Sequence, residues 1–175
     1  MKRSFSLSQF LGFAVTSMGG TLLHYLYDWT GQSRWAALVS GVNESTWEHM
    51  KLLFFPLFSF AIIQYFFFRE NDSFWCIKLR GTLLGLALIP ILFYTYNGAI
   101  GKSPDWLNIA IFFISAAIVY IWETRAYFRD TIYCKSSLPS FLLLCLIALA
   151  FVWFTFSPPT LPLFRDPLTG TYGIA

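Results

Sequence analysis

The sequence predicts an all-α fold, a polytopic membrane bundle of five transmembrane helices with its N-terminus inside and its C-terminal tail outside. Three observations predict it. Hydrophobic residues make up 57% of the 175 positions and charged residues only 12%, against about 25% charged in a soluble domain. Five stretches reach the roughly 20 mostly apolar residues that a helix needs to cross a bilayer. Lysine and arginine gather on alternate connections: Lys2, Arg3, Arg69, Lys78, Arg80, Arg125, Arg129 and Lys135 on one side, Arg34, Lys51, Lys102 and Arg165 on the other. The richer side is the inner one. The length allows one membrane domain, 1–175, with no separate soluble domain. The net charge is +3, with basic residues at span ends rather than in a patch, which excludes nucleic acid as a partner and leaves the lipid bilayer.

The first span covers 8–28. Its start, MKRSFSLSQFLGFAVTSMGG, resembles a signal peptide, but the apolar run continues through Leu22, Leu23 and Tyr25 with no small-residue cleavage site, so it reads as a retained span. The second, 47–68, opens with VNESTWEHMK, in which Ser45 and Glu48 stand at capping-box spacing. The third, 74–96, contains Gly81 and Gly85, a GxxxG pair that admits a close helix neighbour. Pro56 and Pro90 are expected to kink their helices. The fourth span, 105–127, starts after Ser103-Pro104-Asp105, with proline suited to a first turn. The fifth covers 138–156. The tail 157–175 carries four prolines and cannot continue a helix. Its DPLTG reads as a turn, in a segment either loose or packed across the outer end. Trp29, Trp35, Trp47, Trp75, Trp106, Trp122 and Trp153 suit the membrane interface. Cys76, Cys134 and Cys145 show no metal or redox spacing and read as free thiols.

Polar residues concentrate at the outer ends of the spans. His24 and Asp28 lie four apart on one face of the first helix. Glu44, Glu48 and Lys51 share a face of the second, beside Asn43 and His49. Tyr94, Tyr96 and Asn97 end the third, Asp105 and Asn108 begin the fourth, and Arg165, Asp166 and Tyr172 lie in the tail. Capping accounts for part of this: Glu48 suits a helix start and Glu44 a positive helix end, and Lys51 can snorkel to the headgroups. Capping does not account for His24 and Asp28, because an aspartate at a helix C-terminus opposes the dipole. Ionisable groups at that depth pair with one another or serve a function. A purely structural pairing of His24 or Asp28 with Lys51 or His49 is one alternative.

His24, Asp28, Glu44, Glu48 and His49 form a mixed nitrogen and oxygen donor set suited to zinc or another divalent metal. There is no HExxH motif. In an enzyme, Glu48, His49 and Lys51 would be catalytic, and Asn43, Tyr94, Tyr96, Asn97, Asp166 and Tyr172 would bind substrate. A metal-free version uses His24 or His49 as general base, held by a carboxylate, with Lys51 or a tyrosine steadying an oxyanion. Ser45 is a nucleophile in that version and otherwise a cap. Inner charges, Lys78 among them, read as positive-inside residues, with Glu123 near Arg125 the exception. The inner halves of the spans then hold no charged relay.

HYLYDWTG, VNESTWEHMKLLFFP, YTYNGAIGKS with DWLNI, and PPTLPLFRDPLTGTYGI together resemble a family of small bacterial five-span membrane proteins of unknown function. The resemblance covers nearly the whole chain and implies a five-helix fold in a bacterial cytoplasmic membrane. It implies no activity. At Asn97, where family members carry threonine, this chain departs from the pattern. Three functions stay open: a metal-dependent hydrolase or transferase acting on a lipid or lipid-linked substrate, a small-ligand or ion binding or transport component, and a structural or regulatory membrane partner.

Overall fold

The computed structural model describes residues 2–101, 104–129, 132, 134 and 136–174. Lys102, Ser103, Lys135 and the side chain of Asp105 lie outside the described residues. The described chain is helical: α1 (Lys2–Trp29), α2 (Arg34–Ala37), α3 (Thr46–Phe68), α4 (Phe74–Ala99), α5 (Asp105–Arg129), α6 (Leu138–Phe156) and a short 3-10 turn, Pro162–Phe164. Among the described residues there is no strand, only an isolated bridge between Arg165 and Tyr172.

Among the described residues, four helices are long and apolar enough to cross a membrane: α3, α4, the Trp106–Arg129 part of α5, and α6. α1 has 28 residues but is not among them, since Gln9, Thr16, Ser17 and His24 dilute its apolar residues. α1 packs on α3 and α5, and α4 packs on α3, α5 and α6. α6 is the peripheral helix, with Leu142, Leu146, Leu149 and Trp153 exposed, as lipid-facing residues should be. Aromatic residues fill the core between helices, with Phe5, Phe54, Phe58, Phe74 and Phe151 buried in one cluster. Trp29, Trp35, Trp106 and Trp153 are exposed, whereas Trp47 packs between Phe151 and Phe164 and Trp75 packs against Phe141. α3 and α4 run through Pro56 and Pro90 as continuous helices.

The GxxxG pair sets the distance between α4 and α5. A Cβ at Gly81 would lie 2.6 Å from Glu123 Oε1, and one at Gly85 would lie 2.7 Å from Val119. On α1, a Cβ at Gly20 would lie 2.4 Å from the Phe112 ring and 3.0 Å from the Leu52 carbonyl. Side chains at these positions would force the helices apart.

The tail packs across one end of the bundle. Phe164 is buried against Trp47 and Phe154. Asn43 Nδ2 donates to the Gly173 carbonyl at 3.0 Å, linking the tail to the α2–α3 connection. DPLTG forms the expected turn, closed by Gly170 N–H on the Asp166 carbonyl at 2.9 Å.

The cysteines correct the sequence reading. Cys76 and Cys134 form a disulfide, with Cα atoms 6.6 Å apart, and only Cys145 is free. The partners are 58 residues apart, so no spacing rule reveals them.

Candidate functional site

Three side chains from separate segments converge at the end of the bundle that the tail covers. His24 comes from the last turns of α1, Glu44 from the α2–α3 connection, and His49 from the first turn of α3. The connection is held in place by Gly41 N–H on the Leu23 carbonyl and by Asn43 Oδ1, which accepts from Ser45 N–H at 2.9 Å. Ser45 caps α3, its hydroxyl accepting from Glu48 N–H at 3.4 Å. Only this half of the capping box forms, because Asn43 already occupies Ser45 N–H and the Glu48 carboxylate bonds elsewhere.

His24 Nε2 lies 3.7 Å from Glu44 Oε1, and His49 Nε2 lies 3.6 Å from Glu44 Oε2. One donor atom from each of the three residues lies within 4.8 Å of the others. Two zinc ligands at about 2.1 Å from a tetrahedral ion stand about 3.4 Å apart, so the spacing fits a shared ion. His49 Nδ1 lies 3.0 Å from the Ser45 carbonyl. A carbonyl only accepts, so Nδ1 carries a proton, and in the neutral ring Nε2 presents its lone pair to Glu44. Metal-bound histidines are usually oriented by such a bond. The imidazole lone pair and the carboxylate are both acceptors, so a proton or a cation between them makes their approach favourable.

Two cavities flank the cluster. One, of about 80 Å³, is bounded by Glu44, His49, Asn97, Asn108 and the tail residues Pro167 and Leu168. The other, of about 200 Å³, lies between α1 and α5 and is bounded by Gly20, His24, His49, Asn108 and Phe112. Its outer wall is Thr21, Tyr25, Ile109 and Phe113, all on the exposed surface of their helices.

Glu48 and Lys51, expected beside the histidines, instead pair with each other at 2.5 Å in the protein interior. Lys51 Nζ also donates to the Ala37 carbonyl at 3.1 Å and to Thr155 Oγ1 at 2.8 Å. All three ammonium protons therefore have acceptors. Glu48 Oε2 also accepts from Val42 N–H at 3.2 Å. The cluster ties α2, the connection, α3 and α6 together and leaves Glu48 outside the histidine group.

Asp28 is exposed and also lies outside that group. Asp166 is buried and shapes the tail turn, its Oδ1 accepting from Leu168 N–H at 2.7 Å. Tyr172 pairs across that turn with Arg165. Asn97 borders the smaller cavity, whereas Tyr94 and Tyr96 border neither of the two.

The sequence reading missed a second charged cluster at the opposite end of the bundle. Lys78, expected among the positive-inside residues, is buried and pairs with Glu123 at 2.6 Å. Gln9 Nε2 donates to Glu123 Oε2 at 3.0 Å, while Gln9 Oε1 accepts from Lys78 at 3.2 Å and from Gln64 Nε2 at 2.9 Å. Four helices thus meet in one polar network. The sequence signal was Glu123, an acidic residue inside an apolar span, which needs a partner.

A search of curated proteins and a search of solved structures return no match. Residues 5–174 match the description of a family of unknown function. That match covers nearly the whole chain, the segments that carry the histidine cluster included, and the protein therefore belongs to DUF6512.

Proposed function

We propose that the protein is a metal-dependent membrane hydrolase or transferase acting on a lipid or lipid-linked substrate, with His24, Glu44 and His49 as the ligands of zinc or a similar divalent ion. The observation that carries this reading is the approach of two imidazole nitrogens to one carboxylate, with His49 fixed by the Ser45 carbonyl. Two histidines and a glutamate are a donor set of catalytic zinc sites, which keep a fourth position open. When bound, such an ion supplies Lewis acidity and an activated water. The chain's own residues hold the site: Asn43 fixes the connection that carries Glu44, and the tail covers the smaller cavity.

The cavities favour a lipid substrate. At about 80 and 200 Å³, neither reaches the roughly 300 Å³ of an ordinary small-molecule site. The larger one is bounded by exposed residues of α1 and α5, which in this reading face the bilayer, so a reacting headgroup can enter while its chains stay in the membrane. The test uses purified protein in phosphatidylethanolamine and phosphatidylglycerol vesicles with added zinc, followed by mass spectrometry of the lipids. New lipid products with the parent and none with His49→Ala are expected. No product with either, in vesicles that also carry lipid-linked sugars and lipopeptides, rejects the reading.

In this reading α1 is a fifth span, the N-terminus faces the cytoplasm of a bacterium, and the histidine cluster faces outward. The Cys76–Cys134 pair then lies at the end that carries Arg69, Arg80, Arg125 and Arg129. Cytoplasmic glutathione keeps such thiols reduced. Rapid alkylation of cells lysed directly into denaturant is expected to label Cys76 and Cys134 along with Cys145, with the disulfide closing only on oxidation. A pair that resists this labelling until a reductant is added places this end outside and reverses the orientation.

A further inference from the structure

The packing of α1 on α5 sets a register. Gln9 bonds Glu123, a Cβ at Gly12 would meet Tyr120, and one at Gly20 would meet Phe112. Positions on the two helices thus face each other when their numbers sum to about 132. This register puts Ser17 level with Ser115 and His24 level with Asn108. Thr16 bonds the Tyr120 hydroxyl at 2.7 Å. One face of each helix therefore carries polar groups seven or eight residues apart, facing the other helix. Gln9, Thr16, Ser17, Ser115, Tyr120 and Glu123 are all buried. From Gln9 to His24 the seam spans roughly 22 Å at a rise of about 1.5 Å per residue, most of an apolar bilayer core.

The seam holds polar atoms that helix packing alone does not explain. Ser17 Oγ, Ser115 Oγ and Glu123 Oε1 are buried and have no hydrogen-bond partner among the described residues. Buried polar atoms are nearly always paired with protein or with water. A clasp that only held the helices together would saturate its atoms, as the Glu48–Lys51 cluster does for its lysine. The seam also has access at both ends. Asn108 borders both cavities beside the histidines. Gln9, bonded to Glu123, borders an open groove of about 460 Å³ whose walls are mostly apolar, Phe10, Phe13 and Ile121 among them, with Ser6, Thr124 and Arg125 at its edge. Phe112, which crosses the seam at Gly20, is its constriction.

We propose that this seam conducts protons across the bundle, with Glu123 as the group that takes up and releases the proton at its inner end. At each step one O–H bond forms on an acceptor oxygen as the O–H bond of its neighbour breaks. Hydroxyls at Ser17, Ser115, Thr16 and Tyr120 pass the proton, with water between them. It reaches Glu123 Oε1 and leaves through the groove at Gln9, one proton out for each one in and no electrons moved. The charged and polar groups facing Glu123 are Gln9 from α1, Lys78 from α4 and Tyr120 from α5, with Gln64 from α3 reached through Gln9.

The test is proton flux into vesicles of purified full-length protein that enclose a pH-sensitive dye, driven by a potassium gradient with valinomycin. The parent is expected to acidify the lumen faster than empty vesicles. Tyr120→Phe, which keeps the ring and loses the hydroxyl, is expected to cut the flux at least about tenfold, and Ser115→Ala to lower it as well. Equal incorporation and unchanged melting separate this effect from misfolding. Parent vesicles no leakier than empty ones overturn the proposal. So does a parent flux that Tyr120→Phe and Ser115→Ala both leave unchanged.

Discussion

Lys78→Met alone is expected to destabilise the protein by about 3–5 kcal/mol, the cost of leaving one buried charge without its partner. Lys78→Met combined with Glu123→Leu is expected to recover most of that loss. The reason lies in the geometry. Glu123 is fully buried, and Lys78, at 2.6 Å, is its only cationic partner among the described residues. Without the ammonium, Gln9 Nε2 is the only remaining donor to that carboxylate among the described residues. A buried ion pair adds little net stability over a well-packed apolar pair, but half of one is costly. Thermal unfolding of the single and double variants in detergent gives the comparison. Single and double variants of equal stability would mean that the pair does not act as a unit. The double variant also bears on the seam, since a stable bundle without Glu123 should have lost its proton flux.

The second large effect concerns the histidine cluster. Glu44→Gln, His24→Ala and His49→Ala are each expected to weaken zinc binding by at least about a hundredfold, because even groups that only orient a metal ligand are worth 10- to 100-fold. Asp28→Asn and Glu48→Gln are expected to leave affinity almost unchanged, since Asp28 is exposed and Glu48 belongs to the Lys51 cluster. Glu48→Gln should instead lower stability, as Lys51 would lose its countercharge. The set separates the cluster from the wider group of outer polar residues. Equal losses in all five variants would mean that they act through the fold. Titration with a competing zinc dye on purified variants measures this.

Much of the helical architecture was legible because its signals are local. Apolar runs and caps marked α3 to α6, and Ser45 caps α3 as its spacing indicates. DPLTG closed the expected turn. The convergence of His24, Glu44 and His49 was half legible: polar residues at the mouth of an apolar chain demand a reason, but no rule says which will meet. Glu48 and His49 are adjacent, yet a helix turns each residue by about 100°. One side chain joins the Lys51 cluster and the other joins His24. Lys78 was misread because a lysine near a basic helix end usually belongs to the positive-inside set, and only packing shows that Glu123 lies beside it. The Cys76–Cys134 pair was hidden for the same reason. Each depends on contacts between segments far apart in sequence.

Elemental analysis of the detergent-purified protein, beside the His24→Ala/His49→Ala variant, tests the metal site most directly. The account predicts about one divalent ion per parent chain, with zinc the leading ion, and none in the variant. A parent that carries no metal after incubation with zinc, or a variant that carries as much as the parent, would contradict it.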